Sequence, residues 1–590
     1  MALGIFGRFR LTTSLTVAGL ALTGLTGLTA PASAEDDQGQ SDRTATLYRE
    51  VLRVGAGGRP LLPLSVLARQ EKLEVSAPSG LRILGTSDGQ VDVRLPPGKV
   101  VEVVATERQA GVYRHFVVLA RAPSWDFDAL RAAKQRWKDL GVAVLTKGSG
   151  TSYSLAGRMF DTRQTLLCLD QGFADDKAAA AKAKELAQQF SEALGGEEPG
   201  LHVVVETPAA AALVVREKGG SSFEVHARDV LWFEALGRGQ GKEGGQGKEG
   251  AQGAQPTALQ VVGSRGGGRS ELELPGRIYV VAGQHGLEVV NEAEIEGILE
   301  GVVASEIFHS APDAALRAQA VAARTDMLAK VGTRHATDPF AICSEVHCQA
   351  FRGLERVSPR IAAAVRDTRG VVMVDPEGRL VDAYYHAVSG GHTEANENAW
   401  PGRPQPALRG RPDLVRGDSP LQGGATDEAV AKLLNSKDES WAAASGLNAE
   451  ACRWRTERSA QELQSQLKRF GWEGAVVGLK VLKRGVSGRA ISLEIQGTGG
   501  TRKVVDGELR IRDALGGSHG PKGLRSSLVL IKAGPEGKDG APQSWVFSGA
   551  GFGHGVGMDQ TGAVARAKAG QDYRAILLHY YAGAKLEQLY

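Results

Sequence analysis

Apolar and polar residues alternate through much of residues 46–110, for example over Val91–Val93 and Val100–Val103. An alternation with a period of two gives a strand one apolar face and one polar face. Between residues 111 and 205 the order of predicted elements becomes strand, helix, strand, strand, helix, strand. The chain is therefore predicted to be of the α+β class, with a β-rich region over residues 35–110 and a small α/β module over residues 111–205.

A change in composition separates this part from the rest of the chain. Residues 236–256 contain the hexapeptide GQGKEG twice and show no apolar pattern, which is typical of a flexible linker or a long loop. From residue 257 onward, helical and strand patterns alternate with clusters of polar residues. Residues 257–590 are predicted to form one mixed domain that carries the chemistry.

A carboxylate ends the apolar stripe of the first helix in that domain. The stripe has the i, i+3, i+4, i+7, i+8 spacing of a core-facing helix and consists of Ile295, Ile298, Leu299, Val302 and Val303. Glu306 follows 11 residues after Ile295, which at 3.6 residues per turn returns almost to the same side of the helix. Glu294, Glu296 and Glu300 fall on other sides and are predicted to be solvated.

A carboxyl group in this position favours acid catalysis, because removal from water raises its pKa toward the range that a general acid needs. The alternative is an ion pair between Glu306 and either Arg317 or Arg324 of the following predicted helix. Gln319, Arg324 and Asp326 are further polar groups of that helix that could line a cleft.

Two thiols and two imidazoles fall within 14 residues, at His335, Cys343, His347 and Cys348. Four such ligands can form a tetrahedral zinc site, although their spacing differs from that of a standard zinc finger. Because protein ligands would fill all four positions, the zinc ion is predicted to be structural. A Cys343–Cys348 disulfide is the alternative if the protein is exported.

Residues 383–400 combine aromatic side chains with small polar ones. Ser389 and His392 fall in a loop, which is flanked by Tyr384, Tyr385 and Trp400. Flat aromatic faces beside hydroxyl and imidazole groups suit sugar rings, which offer both apolar faces and hydroxyl groups for hydrogen bonds. This segment is therefore predicted to contact a carbohydrate.

Glycine alternates with other residues through Gly549–Gly557, with His554 in the middle. Alternating glycine gives up side-chain packing and marks a place where something approaches the main chain closely. The segment has neither the Gly-Lys-Ser/Thr ending of a phosphate loop nor G-x-G-x-x-G spacing, which argues against a nucleotide ligand. It leads through Gln560 into a predicted helix.

The amino-terminal residues have the order of a secretory signal. Arg8 and Arg10 precede an apolar run, and Ala32–Ala34 precede acidic residues. Residues 1–34 are therefore predicted to be a signal peptide, with an uncleaved anchor as the alternative. The mature protein is expected in the periplasm or in the cell-wall or extracellular space. A net charge of +3 over 590 residues argues against a nucleic-acid partner.

Several separate motifs of the second half recur in order in a known family. GVVASEI, RAQAVAART, CSEVHCQAF, YYHAVSGGHTE and GFGHGVGMDQTGA, followed by ILLHYYAGAKLEQLY, resemble the SpoIID/LytB family, which includes lytic transglycosylases and amidase enhancers. The resemblance covers about residues 275–590. The element order of residues 111–205 resembles the SPOR module, which binds glycan strands that lack stem peptides.

The SpoIID/LytB resemblance implies a peptidoglycan glycan strand as substrate, Glu306 as catalytic acid, and zinc ligands among His335, Cys343, His347 and Cys348. Gly551–Met558 are then predicted to form a wall of the glycan cleft, opposite the Glu306 helix. With the polar clusters above, the predicted substrate contacts are Arg317, Arg324, Tyr385, Ser389, His392, His554 and Gln560. Two positions depart from the family pattern: Arg317 replaces a lysine and Asp559 replaces a serine.

Three functions remain open at this point. A lytic transglycosylase would cut between N-acetylmuramic acid and N-acetylglucosamine with one carboxyl group, whereas an ordinary glycosidase needs two. The sequence offers no convincing second carboxylate, which favours the transglycosylase. An amidase enhancer would instead bind wall material or a wall amidase without cutting glycan. A zinc hydrolase is the third possibility.

Overall fold

The computed structural model describes residues 47, 52–55, 58–87, 90–190, 193–194, 199–220, 223–237, 258–345, 348–400, 402–436, 439–516, 523–537 and 540–590. The predicted signal peptide, residues 238–256 of the predicted linker and the candidate ligand His347 lie outside these residues. The described residues belong to the unit Thr44–Tyr590. The structure is mixed, with 26% helix and 40% strand, which is compatible with the predicted α+β class.

The predicted β-rich region is observed over residues 53–109 as a series of strands. They are β1 (Arg53–Val54), β2 (Pro60–Gln70), β3 (Lys72–Ser76), β4 (Leu81–Thr86), β5 (Gln90–Leu95) and β6 (Val100–Gln109). Alternate residues of β3 and β6 are buried, since Leu73, Val75, Val101 and Val103 are at most 1% exposed. The period-two pattern therefore identified the core-facing side of these strands.

The α/β module follows over residues 112–207. Its elements are β7 (Val112–Pro123), α1 (Phe127–Asp139), β8 (Val144–Ser149), β9 (Ser152–Leu155), β10 (Arg158–Asp161), β11 (Gln164–Phe173), α2 (Asp176–Gln189) and β12 (Gly200–Thr207). An antiparallel sheet has the order β12-β7-β11-β8. The predicted element order is present with one addition, the hairpin β9–β10. The relationship of this module to SPOR stays a prediction.

The strands after the module complete the sheets that β1–β6 begin. They are β13 (Ala210–Glu217), β14 (Glu224–Arg228), β15 (Val230–Ala235), β16 (Leu259–Arg265), β17 (Gly268–Leu274), β18 (Arg277–Gly283) and β19 (Gly286–Glu294). One sheet has the order β1-β2-β19-β18-β15-β4-β5, and the other has the order β14-β13-β6-β3-β16-β17. The boundary predicted at residue 257 therefore does not divide the fold, because β16 pairs with β3 and β19 pairs with β2.

Two helices continue from β19 and carry the candidate acid. They are α3 (Ile295–Glu306) and α4 (Asp313–Lys330). The predicted stripe of α3 is buried, since Ile295, Ile298, Leu299, Val302 and Val303 are all 0% exposed. Burial of this stripe fixes the rotation of α3 and turns Glu306 toward the interior. The prediction that Glu296 is solvated is wrong, because it is only 8% exposed.

The next elements form a small core from two separate parts of the chain. The first part consists of β20 (Ile342–Cys343), α5 (Pro359–Asp367), β21 (Val371–Val374) and β22 (Tyr385–His386). The returning part consists of β29 (Met558–Asp559), α12 (Gln560–Lys568), α13 (Tyr573–Tyr580) and β30 (Lys585–Gln588). β22 pairs in parallel with β29, and β21 pairs antiparallel with β30.

Residues between β22 and β29 therefore form an excursion from this core. Its elements are α6 (Asn396–Ala399), α7 (Asp427–Asn435), α8 (Trp441–Ala444), α9 (Ala449–Cys452), β23 (Trp454–Ser459), α10 (Ala460–Lys468), β24 (Val476–Arg484), β25 (Ala490–Gly497), β26 (Arg502–Asp506), α11 (Glu508–Gly516), β27 (Val529–Ala533) and β28 (Ser544–Gly549), with 3-10 turns at Pro406–Leu408 and Thr498–Gly500. Its sheets have the orders β23-β28-β27 and β24-β25-β26. Across the part of the chain that the structure describes, no helix combines the length and apolar character needed to cross a bilayer.

Candidate active site

Glu306 ends α3, and the segment that follows Cys348 encloses its carboxyl group. The main-chain N–H of Ala350 donates to Glu306 Oε1 at 2.7 Å. Gln560 approaches from α12 and donates to the main-chain carbonyl of Glu306 at 2.9 Å. Burial raises the pKa of Glu306, while hydrogen bonds from Ala350 and Gln560 and the charge of Lys330 oppose the rise. The result is a carboxyl group that keeps its proton to a higher pH than usual, as proton donation requires.

A chain of polar side chains connects Tyr385 with an ion pair on α4. The Tyr385 hydroxyl donates to Gln349 Oε1, and Gln349 Nε2 donates to Asp326 Oδ2. Lys330 Nζ lies 2.6 Å from the same oxygen of Asp326. Gln349, Asp326 and Lys330 are buried. Buried charges of this kind are stable only when they are paired and hydrogen-bonded. Asp326 and Lys330 meet both conditions.

Gln349 and Lys330 are absent from the predicted site residues. Gln319, Asp326 and Lys330 lie at positions i, i+7 and i+11 of α4 and therefore on one face, which is a signal that the sequence contains. Gln319 is 0% exposed, and its side-chain oxygen is 3.3 Å from Gln560 Nε2. Gln349 follows a candidate metal ligand directly, and no pattern in the sequence distinguishes it.

Neither arginine predicted on α4 pairs with Glu306. Arg317 is half-buried and pairs with Asp367 of α5 at 2.7 Å. Arg324 is 0% exposed and makes a two-pronged ion pair with Glu296 at 2.6 and 2.8 Å. The alternative interpretation of Glu306 as an ion-pair partner is therefore wrong. The predicted substrate contact of Arg324 is wrong as well, because its side chain has no exposed surface.

Buried carboxylates hold the loop that follows β22. Ser389 is 0% exposed, its main-chain N–H donates to Asp559 Oδ2 at 2.7 Å, and its hydroxyl donates to Asp413 Oδ2 at 3.1 Å. Asp413 is in turn paired with Arg566 at 2.8 Å. Ser389 is thus a structural residue that connects two buried acids, in contrast to the predicted substrate contact.

His392 lies in the same loop, three residues after Ser389. It is 8% exposed and lines a cavity of about 660 Å³ together with Arg409 and Arg484. Burial lowers the pKa of His392, so the imidazole is neutral. Glu306 does not line this cavity, and the predicted grouping of His392 with the acid is not observed.

Glycine is required at alternate positions of residues 551–557, both by the main-chain conformation and by close packing around it. Gly551, Gly553, Gly555 and Gly557 have φ angles between +73° and +98°, a left-handed region that other residues avoid. The space where a Cβ of Gly555 would lie is occupied by the guanidinium group of Arg489, which is 0% exposed. The glycines therefore accommodate a buried arginine and neighbouring chain, where the sequence had suggested a sugar.

Substitution of Gly555 is expected to destabilise the fold strongly. Gly555→Ala combines a left-handed residue with a clash against Arg489, and we expect a loss of about 3 kcal/mol in the free energy of unfolding. Gly570→Ala is the matched control, because Gly570 has a φ of +87° and no atom within 4 Å of its Cβ position. The control is expected to lose about 1 kcal/mol. Equal losses in urea unfolding of the two variants would contradict the role of Arg489.

His554 belongs to a group of aromatic rings. Its ring centroid is 4.7 Å from that of Trp400 and 6.3 Å from that of Tyr384, and the Tyr384 and Trp400 rings are 4.5 Å apart. The N–H of Val556 donates to His554 Nδ1 at 3.1 Å, which leaves the proton on Nε2. Burial lowers the pKa of His554 well below its usual value. His554 is also hydrogen-bonded to the main chain of Tyr385.

His335, Cys343 and Cys348 form a compact group of metal-ligand type. Their ligand atoms all lie within 4.8 Å of one another, and Cys348 Sγ is 3.4 Å from His335 Nε2. His335 Nδ1 is 2.8 Å from Asp338 Oδ2, an arrangement that turns Nε2 toward the thiols. Both cysteines are present as thiols. The donor set suits zinc.

Comparison with known proteins gives two family matches. Residues 283–374 match the family model of the stage II sporulation protein SpoIID, and residues 394–557 match a domain of unknown function, DUF8618. An uncharacterized protein of Brachyspira hyodysenteriae is 27% identical over 318 residues, which cover 53% of this chain and 72% of that protein. The amidase enhancer of Bacillus subtilis is 28% identical over 305 residues, which cover 49% of this chain and 40% of that protein.

Residues 283–374 are thus similar to the SpoIID family, and the second match follows them along the chain. The resemblance to the SpoIID family is confirmed, and the matched range contains α3, α4 and Glu306. The second matched range coincides with the excursion between β22 and β29. The chain spans less than half the length of the amidase enhancer that it matches.

Proposed function

We propose that this protein is an exported lytic transglycosylase that cuts peptidoglycan glycan strands, with Glu306 as both acid and base. The observation that carries the proposal is the enclosed carboxyl group of Glu306, whose pKa burial raises while Arg317 and Arg324 pair elsewhere. The SpoIID match and the similarity to an amidase enhancer support a role in cell-wall remodelling.

One carboxyl group is sufficient for the proposed reaction. Protonated Glu306 donates to the glycosidic oxygen as the bond to C1 of N-acetylmuramic acid breaks, and N-acetylglucosamine leaves with a free 4-hydroxyl. The 6-hydroxyl of the same muramic residue attacks C1, and the Glu306 carboxylate takes its proton. The products are an anhydromuramic end and a shortened strand, with no water consumed. Asp326, the neighbouring carboxylate, is held by Lys330 and is therefore poorly placed as a second catalytic carboxyl.

The aromatic group around His554 supports a glycan as the ligand. Trp400 and Tyr384 offer ring faces for apolar stacking beside the imidazole of His554. Tyr385 and Gln560 reach Glu306 from β22 and α12. We include these side chains in the proposed glycan cleft.

The test uses purified protein and glycan strands freed of stem peptides. Mass spectrometry is expected to find anhydromuramic ends that increase with time. A second candidate, a non-catalytic amidase enhancer, is favoured by the similarity to the Bacillus subtilis protein of that name. It predicts intact strands together with faster release of stem peptides by an added wall amidase, and that pair of results would refute the transglycosylase.

We further propose that the predicted zinc ion is structural and is held by His335, Cys343 and Cys348, with His347 as the fourth ligand. When bound, such an ion cross-links the segment that presents Ala350 to Glu306. It supplies no step of the reaction, in contrast to a zinc hydrolase, whose turnover would stop on chelation while the fold survived.

Counting thiols separates the zinc site from a disulfide. The chain has four cysteines, and zinc ligation predicts four reactive thiols in denaturant, whereas a Cys343–Cys348 disulfide predicts two. Chelation is expected to release about one zinc ion per chain and to lower the midpoint of thermal unfolding by roughly 5 °C or more. Cys168→Ser is the control, since this cysteine lies in β11 and its loss should leave the zinc content unchanged.

A further inference from the structure

We propose that the cavity of about 660 Å³ beside His392 is a second binding site of this protein, and that it takes an uncharged sugar, the N-acetylglucosamine of wall glycan. Of the described residues that line the cavity, none is Glu306 and none belongs to the proposed glycan cleft. The site is therefore additional to the cleavage site. The choice of sugar rests on the proposed wall function, whereas the existence of the site does not.

Three segments of the chain supply the walls of this cavity. They are His392, residues between Arg409 and Ala425, and the turn Arg484–Val486. Buried Glu394 accepts hydrogen bonds from the main-chain N–H groups of Val486 at 3.1 Å and Ser487 at 3.3 Å. The turn is therefore held in place before any ligand binds, as is usual in small-molecule sites. All lining residues except His392 fall within residues 394–557, the matched domain of unknown function.

His392 offers an unused hydrogen-bond acceptor at this cavity. Its Nδ1 lies 2.7 Å from the main-chain carbonyl of Thr393, and because a carbonyl only accepts, Nδ1 carries the proton. Burial lowers the pKa of His392, so the ring is neutral and Nε2 keeps a free lone pair. Within the part of the chain that the structure describes, no group donates to Nε2. His392 is only 8% exposed, and a buried acceptor without a donor is unfavourable, so a ligand that donates to Nε2 is stabilised.

The charged groups around the cavity disfavour an anion. Arg409 makes a two-pronged ion pair with Glu397, and Arg484 pairs with Asp427 at 2.7 Å. Neither arginine therefore offers an unpaired positive charge to a phosphate or to the carboxylate of muramic acid. Asp418 adds a carboxylate to the lining, but it is exposed to solvent, where its charge is screened.

A cation is disfavoured at His392 as well. Arg489 is 0% exposed and donates to the main-chain carbonyl of His392 at 3.4 Å. Its other hydrogen bonds to described residues go to the carbonyls of Ser389 and Gly553 and to the hydroxyl of Ser487, so no carboxylate is bonded to it there. A positive charge beside the His392 ring repels a ligand cation at Nε2. An uncharged ligand satisfies both conditions.

Apolar and polar side chains occur together in the lining, a combination that suits a sugar. The apolar ones include Pro412, Leu421 and Val486, and Val486 is 44% exposed. Gln422 adds an amide beside the imidazole of His392. A pyranose ring has apolar C–H faces and hydroxyl groups that both donate and accept, and N-acetylglucosamine lacks the carboxylate of N-acetylmuramic acid. We therefore expect a hydroxyl or amide N–H of N-acetylglucosamine to donate to His392 Nε2.

NMR titration of the full chain with the N-acetylglucosamine trimer tests the proposal. His392→Phe keeps a planar ring and removes the acceptor, so we expect the trimer to bind about tenfold more weakly. His392→Gln retains an acceptor near the position of Nε2 and is expected to bind within about threefold of the wild type. His226→Phe is the matched control, since His226 is exposed, lies on β14 and is not among the described lining residues. Its affinity should equal that of the wild type.

Two comparisons identify the ligand and the place where it binds. The glucosamine trimer has an amino group in place of each acetamide, and as a cation it is expected to bind at least about tenfold more weakly. Equal or tighter binding would overturn the assignment of an uncharged ligand. Trp400→Ala alters the cleft and should leave trimer binding intact. The second site is refuted if the trimer does not bind, or if Trp400→Ala abolishes binding that His392→Phe preserves.

Val486→Trp keeps the test decisive if His392→Phe does not fold. The exposed Val486 side chain leaves room for a larger one at the cavity wall, and an indole there is expected to fill the cavity and abolish trimer binding. Wild-type affinity in a folded Val486→Trp would contradict the site. Because the titration needs no cleavage, a protein that binds the trimer and never cuts glycan refutes only the transglycosylase. A protein that cuts glycan without binding the trimer refutes only the second site.

Discussion

Replacement of Glu306 by glutamine is expected to abolish the formation of anhydromuramic ends, with kcat lower by about 10³-fold. Glutamine has nearly the same shape, and its amide oxygen can still accept from Ala350, the donor to Glu306 Oε1 in the wild type. It has no proton to give to the glycosidic oxygen and no carboxylate to take one back. Digestion of stem-peptide-free strands, analysed by mass spectrometry, measures the effect.

The fold of Glu306→Gln provides the control for that result. Because burial raises the folded-state pKa of Glu306, the folded protein binds this proton more tightly than the unfolded chain. Stability from this group is complete at low pH and is lost as the pH rises through the folded-state pKa. The glutamine variant lacks that loss and should be at least as stable as the wild type at pH 9. Strands cut normally by a folded variant would remove Glu306 from the mechanism.

Arg324→Met is expected to cost about 3–5 kcal/mol in the free energy of unfolding, because it leaves a buried carboxylate without its partner. Arg324 donates to both oxygens of Glu296 and to the main-chain carbonyls of Val365 and Val371. It thereby joins α3 and α4 to α5 and β21. Urea unfolding measures the loss.

Arg317→Met is the matched control on the same helix. Arg317 pairs with Asp367 at 2.7 Å, but both side chains are more than a third exposed, and such pairs contribute about 0–1 kcal/mol. The double variant Arg324→Met with Glu296→Met should recover much of the stability, because it removes the unpaired charge. Equal losses for Arg317→Met and Arg324→Met would contradict a structural role confined to the buried pair.

The apolar patterns predicted the helices and strands well, because burial determines both the spacing of the apolar residues and the face that each element turns to the core. The stripe of α3 identified the buried side of the helix and singled out Glu306 at its end. The assembly of the sheets was not predicted, because one of the two partners of β3 is β16, which lies on the other side of an inserted module. A period-two pattern shows which face of a strand is buried, and it contains no information about the strand that lies beside it.

The candidate site was predicted only where its residues differ from their surroundings. Glu306 is a charge in an apolar stripe, and the thiols and His335 are rare residues close together, so both stood out. Arg324 and Ser389 were assigned to substrate because a polar residue in a sequence carries no sign of its partner. The partner of Arg324 is Glu296, and the hydrogen-bond partners of Ser389 are Asp413 and Asp559. Gln349 was missed for the same reason, since its importance lies in what it contacts.

The excursion between β22 and β29 has a consequence for the order in which the chain is made. The contact between Glu306 and Gln560 spans 254 residues, which at about 5–20 residues per second corresponds to roughly 13–50 s of synthesis. The helix that ends at Glu306, the thiols of Cys343 and Cys348, and Tyr385 all emerge before the excursion, whereas His554 emerges near its end and Gln560 after it. Every newly made molecule therefore passes through a period in which Glu306 is present and its hydrogen-bond donor Gln560 does not yet exist.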